Sequence, residues 1–481
     1  MFKRVIAPAV LASAAGLAVA QEPTVLITTV PGLTTSAIPG GAAGEEFSNF
    51  AERPFASPSG NYWIVKGGSN TAQTYTVGQG VSFGTALRSD DPAPWNPAFN
   101  VGITFINDVA INDNGGWNFV TTVANTLTLA RTDGTDWFAD VEGETTQVPG
   151  LPGVFVANFF IQKPVLTNDG RSGYTTLSLD LPAATRNFLI LGDQILSQSG
   201  VNVPTNQPSG EQDTIKANAV SAFGVSGDGN TWMTEARLRI PGNFPSGTQL
   251  RTVVVNNDAK MQTLHPFGTF ASPIVSIHNT TLSGVGDWLA RASNDDGHDF
   301  VVRNGDIIAQ RGAPIFDGAT ELFDDGPFAA TFFVNVGGPD GDYLVGGTTD
   351  NADSALNSVI VLNNERVIAR RGDAVSIDGQ TFTISSFANN SAAFLDDAVL
   401  IVANLSDAAG TSVGSALLHY DLDAAPTCPA DLNGDGVVDA DDFFLFLSLF
   451  ASGDSRADIN GDGVIDADDF FAYLSLFAAG C

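Results

Sequence analysis

The chain has 481 residues, and 21 Lys and Arg stand against 53 Asp and Glu for a formal net charge of −32. That balance argues against nucleic acid and anionic membranes as partners, because both are recognised through a basic footprint. Cys428 and Cys481 are its only cysteines, too few soft ligands for a thiolate metal centre.

Residues 1–20 read as an export signal. "MFKR" carries positive charge, "VIAPAVLASAAGLAVA" is a short apolar run broken by Pro8, and Ala18-Val19-Ala20 supplies a small-residue cleavage site. A membrane anchor would need about 20 apolar residues. A secreted or cell-surface protein with no integral membrane span is therefore expected.

Residues 24–422 lack helical periodicity and are rich in short apolar runs between Gly, Asn and Asp turns, the pattern of many short antiparallel strands. A polar turn followed by a strand-opening aromatic recurs at Tyr62, Trp117, Tyr174, Trp232, Trp288 and Tyr343, with Val399 in the last copy. The intervals are 55, 57, 58, 56, 55 and 56 residues. Each unit also holds a second hairpin, turning at Gly192-Asp193, Asn304-Gly305 or Asn363-Asn364 in the clearest copies. Two hairpins per unit predict an all-β, seven-bladed propeller of four-stranded, roughly 56-residue repeats. An eight-bladed ring or an open sandwich array is the alternative. The seventh unit lacks a fourth strand, and "TVLITTVPGL" near the N-terminus has the matching pattern. It is expected to complete that blade and remove the open edges.

Chemistry on the propeller is harder to find. "SGDGNTW" (residues 226–232) resembles the Asp-box of sialidase-type propellers with one residue missing, and in that family the box is structural. His265, His278, His298 and His419 have no ligand spacing; "NDDGHD" and "FDDGP" are acidic enough to hold calcium, but Asp-Gly is also ordinary turn chemistry. No catalytic residue is assigned. The repeat rhythm is also similar to that of exported bacterial repeat proteins of unassigned biochemistry.

After a linker at 423–427, residues 428–481 contain two near-copies of one acidic loop, each followed by an apolar helix. Against the calcium-loop template, the first copy supplies Asp431, Asn433, Asp435, the Val437 carbonyl, Asp439 and Asp442. The second, 27 residues on, supplies Asp458, Asn460, Asp462, the Val464 carbonyl, Asp466 and Asp469. This spacing wraps hard oxygen donors around one point, so two Ca2+ ions are expected. Cys428 and Cys481 bracket the pair and, in an oxidising compartment, are expected to form a disulfide.

Two such loops with Asp at position 12, each followed but not preceded by a helix, resemble a dockerin. The terminal Gly-Cys is similar to a bacterial subset that uses the module as an anchor. The resemblance implies a small α-helical domain docking to a cohesin-like or other surface or scaffold protein. Cellulosomal dockerins commonly carry hydroxyl residues at loop positions 10 and 11, where this chain has Ala440-Asp441 and Ala467-Asp468. Two such apolar helices in about 54 residues should leave part of their surface uncovered. Leu445 and Phe446, or Ala472 and Tyr473, are expected in that patch. The whole reads as a binding and display protein whose propeller offers a face to a glycan or protein. A secreted polysaccharide-active enzyme and a structural envelope protein are the competing readings.

Overall fold

The computed structural model describes the chain from Glu22 onward, apart from residues 51–52, 90, 101–108, 124–125, 144, 160–163, 209–213, 240–248, 325–330, 423–429, 431, 433–437, 439, 454–456, 458, 460–463 and 480–481. It divides into two compact units, one holding the strands and the other the two helices.

The strand unit is a seven-bladed β-propeller of four-stranded antiparallel sheets. Blade 1 runs through Phe55–Ala56, Trp63–Gly68, Gln73–Gln79 and Ser82–Arg88, with Asn49–Phe50 extending its broken inner strand. Blade 5, the most regular, comprises Ile274–Leu282, Trp288–Asn294, Asp299–Arg303 and Asp306–Gln310. Its outer hairpin turns at Asn304 (φ 52°) and Gly305 (φ 105°), the two left-handed residues that a tight hairpin requires. Blade 6 repeats this arrangement with Asn363 and Asn364 at φ 52° and 58°.

Blade 7 closes the ring. Its first three strands are Gln380–Phe394, Ala398–Ser406 and Ser412–Asp421, and its fourth is Thr24–Thr28, paired as Thr24 to His419 and Thr28 to Ala416. The N-terminal strand thus completes the last blade as its pattern predicts, so blade 7 is built from both ends of the strand unit. An added short strand, Ala374–Ile377, folds onto the start of Gln380–Phe394, a feature the repeat does not announce.

Register identifies the repeat unit more sharply than the aromatics do. In six blades the last residue of the inner strand pairs with the first of the second strand: Ala56 with Trp63, Ile111 with Trp117, Leu166 with Ser172, Val225 with Trp232, Leu282 with Trp288 and Gly337 with Tyr343; in blade 7 Phe394 pairs with Val399, the second residue of its strand. Trp63 rather than Tyr62, and Ser172 rather than Tyr174, therefore occupy the repeat position. The reason is that turn length varies between blades, so counting from an aromatic slips by one or two residues.

Adjacent blades pack through large buried side chains. Met233, Val253 and Met261 of blade 4 share a core with Ile277, Trp288, Ala290 and Phe300 of blade 5. Burial of this apolar surface is the main force holding one sheet on the next.

The second unit contains α1 (Ala440–Ser452) and α2 (Ala467–Ala479). Its core is Phe446, Leu449, Ala457 and Tyr473, flanked by Phe443, Phe450, Phe470 and Phe477. Among the described residues no helix is long and apolar enough to cross a membrane.

Candidate functional site

The seven inner strands converge on an axial cavity of about 210 Å³ at the end where each runs into its second strand. Every blade contributes: residues 55–58, 109–111, 164–166, 223–225, 280–284, 336–339 and 392–394. The lining is Phe, Pro, Val, Ile, Leu, Ala and Gly with a few hydroxyls, and Arg53 is the one ionisable side chain among the described lining residues. Its guanidinium sits over the Phe55 ring, 5.0 Å from the centroid. Such a surface can hold an apolar group and offers it no carboxylate.

The inter-strand turns interlock around this end. The Asp113 carboxylate accepts the Ser59 N–H at 2.8 Å and the Asn168 amide at 2.6 Å, while Asn168 Oδ1 accepts the Asp113 N–H at 3.1 Å. Gly227 N–H then reaches the Gly284 carbonyl at 2.8 Å. Blades 4 and 5 stand opposite blade 1 in a ring of seven, yet Pro58 of blade 1 packs on both. A Cβ at Gly284 would lie 2.2 Å from the Pro58 carbonyl oxygen, and one at Gly227 would lie 2.6 Å from Pro58 Cβ. The blade 1 turn therefore crosses the axis, and these two glycines exist to admit it.

Further along the axis the interior turns polar. Asn279, Asn335 and Asn390 come from the inner strands of blades 5, 6 and 7. Asn279 Nδ2 donates to Asn335 Oδ1 at 3.0 Å and to Asn390 Oδ1 at 3.1 Å. Beside them lies a level of charges three residues into the second strands: Lys66, Glu235 and Arg291. Glu235 is buried and accepts from Arg251 Nε at 2.7 Å. Desolvation depresses the Lys66 ammonium pKa. Sequence reasoning missed this level, although its signal is present as Trp63-x-x-Lys66, Trp232-x-x-Glu235 and Trp288-x-x-Arg291. A charge inside an otherwise apolar strand is the clue.

"SGDGNTW" behaves as a self-contained turn. Ser226 Oγ donates to Asp228 at 2.6 Å and accepts the Thr231 N–H at 3.0 Å. The Ser226 hydroxyl, followed by the Asn230 N–H, lowers the Asp228 pKa and keeps its carboxylate occupied locally. His278 and His419 have pKa values lowered chiefly by desolvation.

Of the calcium-loop positions, Asp442, Val464, Asp466 and Asp469 are described. Asp431, Asn433, Asp435, Val437, Asp439, Asp458, Asn460 and Asp462 lie outside the described residues, as do Cys428 and Cys481. Asp442 and Asp469, the position-12 residues of the two loops, are both fully buried. Asp469 accepts the Ile459 N–H through Oδ1 at 2.8 Å and the Asp466 N–H through Oδ2 at 2.9 Å. Asp466 in turn accepts the Asp468 N–H at 2.9 Å, giving α2 a reciprocal N-terminal cap. An all-oxygen donor set with buried carboxylates fits calcium chemistry.

The expected apolar patch needs correction. Phe446 and Tyr473 are fully buried, stacked on each other, and Tyr473 donates its hydroxyl to the Ala430 carbonyl at 3.2 Å. Desolvation and the nearby Asp442 charge push the Tyr473 hydroxyl up to about 12. Leu445 and Ala472 are partly covered, while Ala440, Ala467 and Asp468 are exposed; the Asp441 side chain lies outside the described set. The exposed rings are Phe444 at 65% and Phe471 at 63%, equivalent residues of the two repeats. At 100° per residue, turning Phe446 and Tyr473 inward puts Phe444 and Phe471 on the far side.

The sequence matches no protein-family model and no curated protein. Solved structures similar to this chain include polysaccharide lyase Uly1, at 10% identity over 84% of this chain and 99% of that one, with a TM-score of 0.38. BBS1N in complex with ARL6DN aligns at 8% identity over 85% and 99%, with a TM-score of 0.35. A GH43 glycoside hydrolase with endo-xylanase and exo-arabinofuranosidase activity aligns at 10% over 79% and 96%, with a TM-score of 0.23. Likenesses this distant assign no chemistry to this chain.

Proposed function

We propose that this is an exported binding and display protein. In this reading the propeller is a recognition scaffold. The C-terminal unit, a dockerin-like module holding two calcium ions, attaches it to a cohesin-like or other surface protein. The observation that carries the binding half is the axial cavity, the concave place where all seven blades meet, whose side chains are mostly apolar while its exposed surface is polar and apolar in similar measure. Glycoside cleavage needs two carboxylates flanking the scissile bond, and the described lining supplies none. The anchoring half is supported by the paired loops and by the buried, equivalently placed carboxylates of Asp442 and Asp469.

The test is to pass the full chain over a panel of immobilised polysaccharides and proteins, recording both retained protein and released reducing sugar. Retention without release is the expected result. Release of sugar would overturn the binding reading in favour of an enzyme. No retention on any surface, with the propeller shown to be folded, would favour a structural envelope role.

A further inference from the structure

Arg291 lies inside blade 5 and is 6% exposed. Its Nη1 donates to the Phe332 carbonyl of blade 6 at 2.5 Å. Nη1 and Nη2 also face Asn389 Oδ1 and Asn390 Oδ1 of blade 7, each at 3.4 Å, beyond a good N–H···O distance. Nε is buried and meets no acceptor. Among the described residues no carboxylate forms an ion pair with Arg291, whereas Arg88, Arg251, Arg303 and Arg370 each have one. Asp299, on the adjoining strand, accepts the Thr331 N–H at 2.8 Å instead.

A buried guanidinium surrounded by neutral oxygens is costly, and an anion removes that cost. Desolvation already pushes its pKa down to about 10. Further donors stand without partners in the same cluster: Asn335 Nδ2 and Ser391 Oγ are both buried and unpaired. Asn335 joins it through Asn279, which sits directly across the ladder from Arg291. The cluster opens to solvent on the side of Asn389, which is exposed.

We propose that Arg291, with Asn389 and Asn390, binds the carboxylate of a small organic acid. The planar guanidinium fork matches two carboxylate oxygens. The exposed Asn389 amide can turn its N–H donors toward the same anion, while Asn390 Oδ1 is held by the Asn279 amide. Asn390 is held in a left-handed conformation (φ 56°) at a break in the register between Phe387 and Ala392, and this bulge places both asparagines beside Arg291. None of these three residues lines the axial cavity, so the site does not depend on the function proposed above.

The test uses the full chain and sodium acetate as the probe, with sodium chloride at matched ionic strength and acetamide as controls. Acetate should raise the unfolding midpoint saturably and show saturation transfer to its methyl protons by NMR. Asn389→Asp would supply the carboxylate from within, raising the midpoint and abolishing the acetate response. Arg291→Gln should abolish the response as well. An equal shift with chloride or acetamide, no shift with acetate, or a full acetate response in Asn389→Asp would each overturn the proposal.

Discussion

The rings of Phe446 and Tyr473 lie face to face, with centroids 4.0 Å apart and planes 6° from parallel. One ring comes from each helix, 27 residues apart in the duplicated sequence, so the pseudo-symmetric repeats pack on each other through equivalent residues. This contact, rather than a surface patch, is what the aromatic content of the helices first serves. Phe446→Ala or Tyr473→Ala should destabilise the C-terminal unit by about 3–5 kcal/mol. Tyr473→Phe loses the hydroxyl bond to Ala430 and should cost about 1 kcal/mol. Limited proteolysis of the full chain reads both effects; cleavage of Tyr473→Ala at the wild-type rate would contradict the packing.

Calcium should act on this unit alone. Chelation is expected to make residues 424–481 protease-sensitive while leaving the propeller's unfolding midpoint unchanged. If the proposed sites hold calcium, Asp442→Asn and Asp469→Asn should each weaken its binding by at least about tenfold, since each would take away a charged oxygen donor. Calorimetric titration of the full chain counts the ions. A stoichiometry of zero would remove the calcium reading.

Across the propeller axis, Gly284→Ala should be destabilising by about 1–3 kcal/mol or more, because the new methyl would meet the Pro58 backbone rather than a movable side-chain end. Gly84→Ala is the matched control: nothing lies within 4 Å of its Cβ position, so it should be nearly neutral. Urea midpoints of the two variants check this. Equal midpoints would mean that the blade 1 turn does not close the axis.

Two carboxylates should tilt stability with pH in opposite senses. Burial pushes Asp373 up to about 6 from an ordinary 3.8, so the folded state holds its proton more tightly. Its contribution is fully present below pH 3.8 and is lost as pH rises through 6. Glu45 is held down at about 2, from 4.5, first by its hydrogen bond from Arg88. Its contribution is present above pH 4.5 and lost as pH falls toward 2. Asp373→Asn should therefore flatten the decline between pH 4 and 6 and leave the acid limb unchanged. Urea midpoints from pH 3 to 8 measure it, and an unaltered slope between 4 and 6 would refute the assignment.

The ring was legible in the chain because its determinants are local. Turn dipeptides such as Asn304-Gly305 set hairpins over a few residues, and a sevenfold period with one missing strand implied that Thr24–Thr28 would close blade 7. The same local coding misplaced Tyr62 and Tyr174 by one and two positions, since ladder pairing and not the aromatic defines where a strand begins.

What the linear sequence determined, then, is the number of blades, their order and the duplicated acidic loops, all carried by short-range patterns that repeat. What only the tertiary structure decided is which residues meet once the ring closes. Pro58 reaches Gly227 and Gly284 across the axis, and Arg291 faces Asn389, 98 residues away. In the helical unit, Phe446 and Tyr473 turn inward while Phe444 and Phe471 stay outside. The helices are apolar on nearly every side, so their sequence left the inner face unspecified. Packing chose it by bringing one ring of each repeat together.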